Sequence, residues 1–428
     1  MLKQTVESTD PQQVLNFGGR SALVNLGSYS AVKYRPSTGA EKPVSLAFEL
    51  GWRNVLPDTS IQVSPKNRFI GNQVEWSLNA GFSEISRSGR KTLVVQKLQF
   101  KSYLGSELSE VTRFTAERTN RRKSSYNIEF GANPGIVIDG IGSTAKFYRL
   151  VVDETSHQEL NAFATLGPAL LDLLFYSTHY LGPLRVSPEL AYTWTGAVPS
   201  NVGIRGEKAV DAILAEKPHN VNSSDKLGEQ TQTSVQKRVS TALRDLGVVE
   251  RFRIKELAKA TNVYQALAMV SQHSPEVLIG DIGFGVSQVF PVVVQLHYVP
   301  SGSLVLLEHP ELHLHPKAQA ELADLIIDVV QQRKLQVVIE SHSEYFLTRL
   351  QRRMAEHGLG TEHEIDSKDM ALYFCRLENG ESKLEELKLN EFGSITNWPD
   401  EFFGNPFEER SAMLDAEMER RQQQKGAA

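Results

Sequence analysis

Leu304-Val-Leu-Leu-Glu-His-Pro-Glu-Leu-His-Leu-His-Pro316 is a nearly continuous apolar run that ends in an acid and then turns through a proline-flanked loop. Strands of open parallel α/β sheets are covered on both faces, and ligands bind just beyond their carboxyl ends. Glu308 stands at such an end, where a carboxylate can hold magnesium directly or through its water shell. The pattern continues outward from it. Ser303–Glu308 is the strand, and Lys317–Val330 predicts a helix with Ala318, Leu322, Leu325, Ile326 and Val329 on one face. Gln336–Glu340 predicts a second strand, Ser343–Met354 a second helix carrying Phe346, Leu347 and Leu350, and Met370–Leu377 a third strand. Strand and helix in alternation at this spacing predict a parallel sheet.

The second strand runs out through Glu340-Ser-His-Ser343, which brings Ser341 and His342 to the same sheet edge as Glu308. A neutral imidazole there can hydrogen-bond a phosphate oxygen or an attacking water, while Ser341 or Ser343 can instead cap the following helix. Gly283-Phe-Gly-Val-Ser-Gln288 opens a further apolar helix containing Pro291. Glycines before a serine at a helix start can form a nest of N–H groups for phosphate oxygens; the alternative is a turn with Ser287 as helix cap. His309, His313 and His315 raise a zinc reading, which we set aside because alternate residues of one loop rarely converge on an ion. A serine nucleophile at Ser287 or Ser341 lacks the G-x-S-x-G elbow.

The rest of the chain sets limits. With 428 residues, 40% hydrophobic and 23% charged, it has ordinary globular composition and room for two or three domains. A formal charge of −5 does not announce a nucleic-acid binder, so any such contact needs a local patch. Arg118, Arg121, Arg122 and Lys123 are the candidate, in a turn that otherwise reads as a solvated hairpin tip. Cys375 is the lone cysteine, which excludes an internal disulfide and fits a reducing cytoplasm. Neither a secretion signal nor a run of ~20 apolar residues is present, so a cytosolic location without membrane contact is expected.

Four regions are expected. Residues 1–155 form a β-rich lobe, antiparallel from its short β-branched runs between Gly, Asn and Ser breaks. Residues 156–275 form a helical region, with a buried helix over Leu160–Leu181, a mobile connection over 187–235, helical Val235–Leu246 and a shorter segment through Val263–Val270. Residues 276–380 hold the α/β lobe, and 381–428 are a C-terminal segment ending in a charged helix.

In this order the three motifs resemble the signature motif, the Walker B strand with D-loop and the switch histidine of ABC-type ATPases in the SMC, RecF and OLD-nuclease branch. Tyr180-Leu-Gly-Pro-Leu-Arg185, Val202-Gly-Ile-Arg-Gly-Glu207 and Trp398-Pro-Asp-Glu-Phe-Phe403 are similar to a bacterial AAA/ABC-type family with a C-terminal domain of unknown function. The resemblance implies a P-loop NTPase head of α/β class, with an antiparallel β lobe and a helical insertion, using ATP and Mg2+. It gives Glu308 the magnesium, Ser287 with Gly283, Gly285 and Gln288 a second subunit's ATP, Leu314-His315 the D-loop and His342 the switch. A homodimer closed on nucleotide, a nuclease or effector partner, and work in DNA repair or anti-phage defence are its further implications. Two departures stand out. His309 occupies the place of the family's catalytic Glu, which leaves Glu311 or His309 itself as the substitute. The phosphate loop, G-x-x-x-x-G-K-S/T, does not occur, so the first βα unit, about 40 residues, is lacking and ATP binding is expected to be weak. A mis-chosen start codon or a truncation is the first explanation, and a non-hydrolysing pseudo-ATPase scaffold the second.

Overall fold

A computed structural model describes residues 1–10, 13–18, 22–26, 28, 32, 46–55, 73–87, 90–104, 109–118, 126–130, 136–141, 143–151, 158–216, 234–258, 261–378, 381–399 and 411–418. The chain divides into two compact units, Met1–Thr178 and His179–Ala428. The expected boundary near residue 155 is therefore displaced, because the helix that follows it stays with the β lobe.

The first unit is the antiparallel lobe. Its sheet runs β1 (Leu46–Val55), β2 (Gln73–Arg87), β3 (Arg90–Leu104), β4 (Ser109–Arg118), β5 (Tyr126–Phe130) and β6 (Ile136–Ile141), each strand paired with the next. Alternation of side chains gives one buried face: Ala80 faces Leu98, Leu98 faces Ala116 and Ala116 faces Ile128, all fully buried. A bulge at Gly81/Phe82 shifts the register so that Phe82 lies opposite Val95. β7 (Ser143–Ala145) and β8 (Arg149–Val151) form a separate hairpin. Helix α1 (Leu2–Val6) and helix α2 (Gln158–Tyr176) pack into the same core through Val6 and Leu171. Arg118 ends β4, while Arg121, Arg122 and Lys123 lie outside the described residues.

Helix α2 stops earlier than the apolar run suggests. The hydroxyls of Ser177 and Thr178 both donate to the Leu174 carbonyl (3.0 and 2.8 Å), and the chain leaves as strand β9 (Thr178–Leu181) rather than continuing helical to Leu181. β9 opens the second unit's central three-stranded sheet, in which it pairs with Leu304–Glu308, and that strand pairs in turn with Gln336–Glu340.

Around that sheet the second unit carries β10 (Tyr192–Thr193), helix α3 (Ala209–Ala215), helix α4 (Val235–Asp245), β11 (Arg251–Glu256), β12 (Val263–Met269) and β13 (Val277–Leu278). Helix α5 (Ile279–Ile282) and helix α6 (Phe284–Tyr298) follow, then β14 (Leu304–Glu308), helix α7 (Pro316–Arg333), β15 (Gln336–Glu340) and helix α8 (Glu344–Ala355). β16 (Leu372–Glu378) and β17 (Glu381–Leu387) close the order. Helix α6 is buried along most of its length: Val286, Val289, Phe290, Val292, Val293, Val294 and Leu296 all lie in the core, together with the polar Ser287, Gln288, Gln295 and His297.

Three expectations need correction here. Residues 187–216 are not a loose connection: Val202, Ala209, Val210, Ala212 and Ile213 are buried, and the Val202 N–H donates to Gln295 of α6 (3.1 Å). The glycines that made the stretch read as loop are packing devices. Gly206 has φ +75°, and a Cβ there would sit 2.4 Å from Pro291. Residues 217–233 lie outside the described residues. Next, Val263–Met269 is a strand, with Ala266 and Ala268 buried alternately. Last, Leu372–Glu378 pairs with β17 in an antiparallel hairpin instead of joining the parallel sheet; its exposed Tyr373 and Leu377 lack the two-sided cover that a central strand requires. Of the expected C-terminal helix, residues 411–418 are helical and the remainder lies outside the described residues.

Helix α6 ends on a buried histidine with a pH consequence. His297 is 7% exposed, its ring nitrogens have no hydrogen-bond partner among the described residues, and burial, then Arg238 and Arg333, push it from 6.5 down to about 3. The folded chain thus keeps His297 neutral where the unfolded chain binds a proton. Stability is lost as pH falls below the unfolded value toward the folded one. Between pH 7 and pH 5 this group should remove about 2 kcal/mol of unfolding free energy. A urea titration at both pH values should show that drop in the wild type and not in His297→Leu; equal drops would refute it.

Candidate functional site

β14 and β15 pair in parallel with Glu308 directly opposite Glu340. The strand run therefore delivers two carboxylates to one edge, and the loops leaving both strands meet there. The His309 N–H donates to the Glu340 carbonyl (2.8 Å), which extends the ladder past Glu308 and holds His309 at φ +46°, a left-handed conformation uncommon for a non-glycine residue. Glu311 folds back beneath the loop and is 6% exposed. One of its oxygens accepts from the His342 N–H (3.0 Å), and the other has no partner among the described residues. The rings of His309 and His342 lie 4.9 Å apart, tilted by 35°. The structure thus brings together Glu308, His309, Glu311 and His342, as the sequence pattern expects.

Two further residues hold the edge. The Tyr180 hydroxyl, on β9, donates to Glu308 Oε1 (2.8 Å). Burial first, and then the bond to Glu308, hold that hydroxyl well above its ordinary range, so it remains a donor. Buried Arg185 donates from Nη2 to the Glu308 carbonyl (2.7 Å) and from Nη1 to the His309 carbonyl (3.1 Å). Burial pulls its guanidinium down to about 10, against the opposite pull of Glu311 and Glu308. Sequence reasoning quotes both residues only within the Tyr180–Arg185 resemblance and assigns them no role. The available signal was an arginine two residues after Gly182-Pro183, where a buried guanidinium must find carbonyl or carboxylate partners.

Around Gly283–Gln288 the picture differs from expectation. Gly283 is the helix cap of α6, and Ser287 sits inside the first turn, 3% exposed, with its hydroxyl donating to the Phe284 carbonyl (2.8 Å). Ser287 is therefore not the cap, and Phe284, 56% exposed, is the outward side chain of this turn. Ser287 does line a cavity of about 160 Å³ with Pro188, Leu190, Gly280, Asp281 and Phe284. Gln288 is buried and donates to the Arg185 carbonyl (3.5 Å). His315 caps α7, its Nδ1 accepting from the Lys317 N–H (3.3 Å). His313 packs against Phe284, ring centroids 4.6 Å apart. His313 and His315 therefore serve packing and capping and do not converge with His309.

Gly285 ties the start of α6 to the loop after β14. A Cβ at this position would meet the His313 carbonyl oxygen at 2.5 Å, and backbone on both sides leaves no flexible atom to give way. Gly285→Ala should cost about 1–3 kcal/mol and loosen the loop. Chemical unfolding together with faster amide exchange over 309–315 would show both; unchanged values in both measurements would contradict the close approach.

Among the described residues no helix is long and apolar enough to cross a membrane. Residues 156–348 match the family described as "AAA domain, putative AbiEii toxin, Type IV TA system", and residues 365–409 match "Protein of unknown function (DUF3696)". No curated protein matches the chain. Solved structures with partial likeness include one described as "Structural biochemistry of ATP-driven dimerization and DNA stimulated activation of SMC ATPases", at 14% identity, 36% of this chain, 84% of that chain and a TM-score of 0.28. Another is "Crystal structure of the SmcHead bound to the C-winged helix domain of ScpA", at 11% identity, 72% and 78% coverage and a TM-score of 0.33. Likeness at this level carries no weight; the matched families do. They cover the Leu304–Pro316 and Glu340–Ser343 segments, with a DUF3696 segment after them, in the order expected from the sequence. Residues 156–348 thus carry an AAA domain of the AbiEii-like family, followed over residues 365–409 by a domain of unknown function.

Proposed function

We propose that this chain supplies the magnesium-binding and water-positioning half of an ATP-hydrolysing switch. The observation that carries the reading is the buried Glu311 oxygen without a partner among the described residues, set at the same strand edge as Glu308. Buried carboxylate oxygens are ordinarily satisfied, and one left open beside a ligand-facing strand end is suited to a water or an ion. The residues fit magnesium, which takes carboxylate oxygens and retains water. When bound with a nucleotide, that ion supplies charge stabilisation to the transferred phosphoryl group.

The chain's own groups divide the remaining work. Glu308 is the carboxylate that would hold the ion, oriented by the Tyr180 hydroxyl and steadied through its backbone by Arg185. Glu311 would accept a proton from a water, since its second oxygen is fixed by the His342 N–H and only one remains to receive it. His342, on the loop after β15, would register whether a phosphate is present, and its backbone bond to Glu311 would pass that state to the base. Closure of two copies around nucleotide, and use in DNA repair or defence against phage, belong to the same proposal. The AbiEii-like description of the matched family supports the defence reading.

The 428 residues contain no G-x-x-x-x-G-K-S/T run, so the assay uses the protein as expressed from its own locus. Magnesium-dependent phosphate release and ATP-dependent dimerisation in the ultracentrifuge are the expected results. Retained nucleotide without release would favour the interaction scaffold and overturn hydrolysis.

A further inference from the structure

His309, Glu340 and His342 offer ligand atoms that all lie within 4.8 Å of one another. We propose that these three side chains bind a divalent transition-metal ion of the Zn2+, Mn2+ or Co2+ class, at a place distinct from the magnesium carboxylate Glu308. The inference stands apart from the ATP reading, since it requires neither nucleotide nor Glu308.

The placement follows from the backbone. His309 and Glu340 are locked by the 2.8 Å bond from the His309 N–H to the Glu340 carbonyl, and His342 is fixed through its N–H on Glu311. His309 lies between two carboxylates: its Nδ1 is 3.9 Å from Glu311 Oε1 and its Nε2 is 3.9 Å from Glu340 Oε1. A small rotation that brought Nδ1 onto Glu311 would give the order carboxylate, imidazole, ligand position that metal-binding histidines adopt. At 3.9 Å neither contact is a hydrogen bond, so Nε2 and the Glu340 oxygen leave a gap between them rather than satisfying one another.

Ligand bonds of about 2.0–2.2 Å place neighbouring ligand atoms roughly 3–3.5 Å apart around an ion. The present spacing therefore needs a contraction of about an ångström, within the reach of side-chain rotation. The burial allows it: His309 is partly buried and held, while Glu340, at 58% exposure of its side chain, and exposed His342 can turn toward it. Charge favours it as well. Glu308, Glu311 and Glu340 meet at this edge, and buried Arg185 is the cation that bonds it. Two imidazoles with one carboxylate select transition metals over magnesium, whose preference is for oxygen. Three protein ligands leave coordination positions open to water, as in exchangeable sites.

Titration of the nucleotide-free protein with Co2+ tests this directly. One ion per chain with visible ligand-field absorption, displaced by Zn2+, is expected. His309→Ala and His342→Ala should each weaken binding by roughly tenfold or more. His313→Ala, in the same loop but outside the cluster, should bind as the wild type does, with circular dichroism confirming that all three variants fold. Absence of a stoichiometric site would overturn the proposal, as would binding insensitive to His309→Ala and His342→Ala or lost in His313→Ala. Because no nucleotide is present, the result is independent of whether ATP is hydrolysed.

Discussion

Glu308→Gln should lower magnesium-dependent ATP turnover on the order of a hundredfold, about 2.7 kcal/mol of barrier, while leaving the fold intact. The substitution keeps shape and removes charge. An amide oxygen can continue to accept from the Tyr180 hydroxyl, and the two bonds from Arg185 go to backbone carbonyls that the change does not touch. What is lost is the negative charge at the strand end, the property a magnesium ligand needs. The measurement is steady-state phosphate release across a magnesium series, with a thermal melt as the control on folding. Turnover within twofold of wild type would remove Glu308 from the metal site. Glu311→Gln divides the roles further: it should reduce turnover without changing the magnesium dependence, and an unchanged rate would transfer the base to His309 or elsewhere.

Asp324→Ala should be the most destabilising single change in the second unit outside its apolar core. Asp324 is buried on α7 and accepts from Arg349 Nη1 (2.5 Å) and from Arg353 Nε and Nη2 (both 2.8 Å), which arrive from α8. Its bonds to Arg353 are the main cause that holds that guanidinium above its ordinary range. Removing one member of a buried ion pair costs about 3–5 kcal/mol, because the partner charge stays behind without compensation. Here Arg353 retains Glu356 and Arg349 retains Glu321, which places the expectation near the lower end, about 3 kcal/mol. A loss of that size in the unfolding free energy from a urea titration, with α8 becoming more protease-sensitive at Arg349 and Arg353, is the expected result. A loss below about 1 kcal/mol, the value of surface pairs, would mean that the cluster is solvated.

The part of the fold that sequence reveals best is the part whose signals are local. β14 and β15 read correctly because each is a five-residue apolar run with few polar interruptions, even though one face of β15 is exposed at Val338, and α7 and α8 because their apolar residues recur at helical spacing. Ser343 caps α8 as its position before Glu344 suggests, accepting from the Phe346 N–H (3.0 Å). Glu308, Glu311 and His342 followed because strand ends in such sheets converge. Less legible was everything fixed by partner choice. β9 is short and half polar, Thr178-His-Tyr-Leu181, and its place beside β14 depends on a chain segment more than a hundred residues distant. Tyr180 and Arg185 were hidden for the same reason. Val263–Met269 misled because two alanines at alternate positions carry no strand propensity of their own, and only their neighbours in the sheet make them core. The alternative of Ser287 as helix cap turned on a detail of a single turn: Gly283 takes the cap position, which leaves Ser287 inside the helix with its hydroxyl on the Phe284 carbonyl.

The contact between Gly285 and the His313 carbonyl bears on how a signal could leave this site. Two backbones touching without an intervening side chain form a joint with no slack, so the loop carrying Glu311 cannot advance toward the start of α6 without pushing it. A small displacement at the strand edge would then be conveyed as movement of an entire buried rod rather than absorbed by rotamer changes. In mechanical terms the glycine works as a bearing surface, and enlarging it would alter the throw of the mechanism before it altered the chemistry.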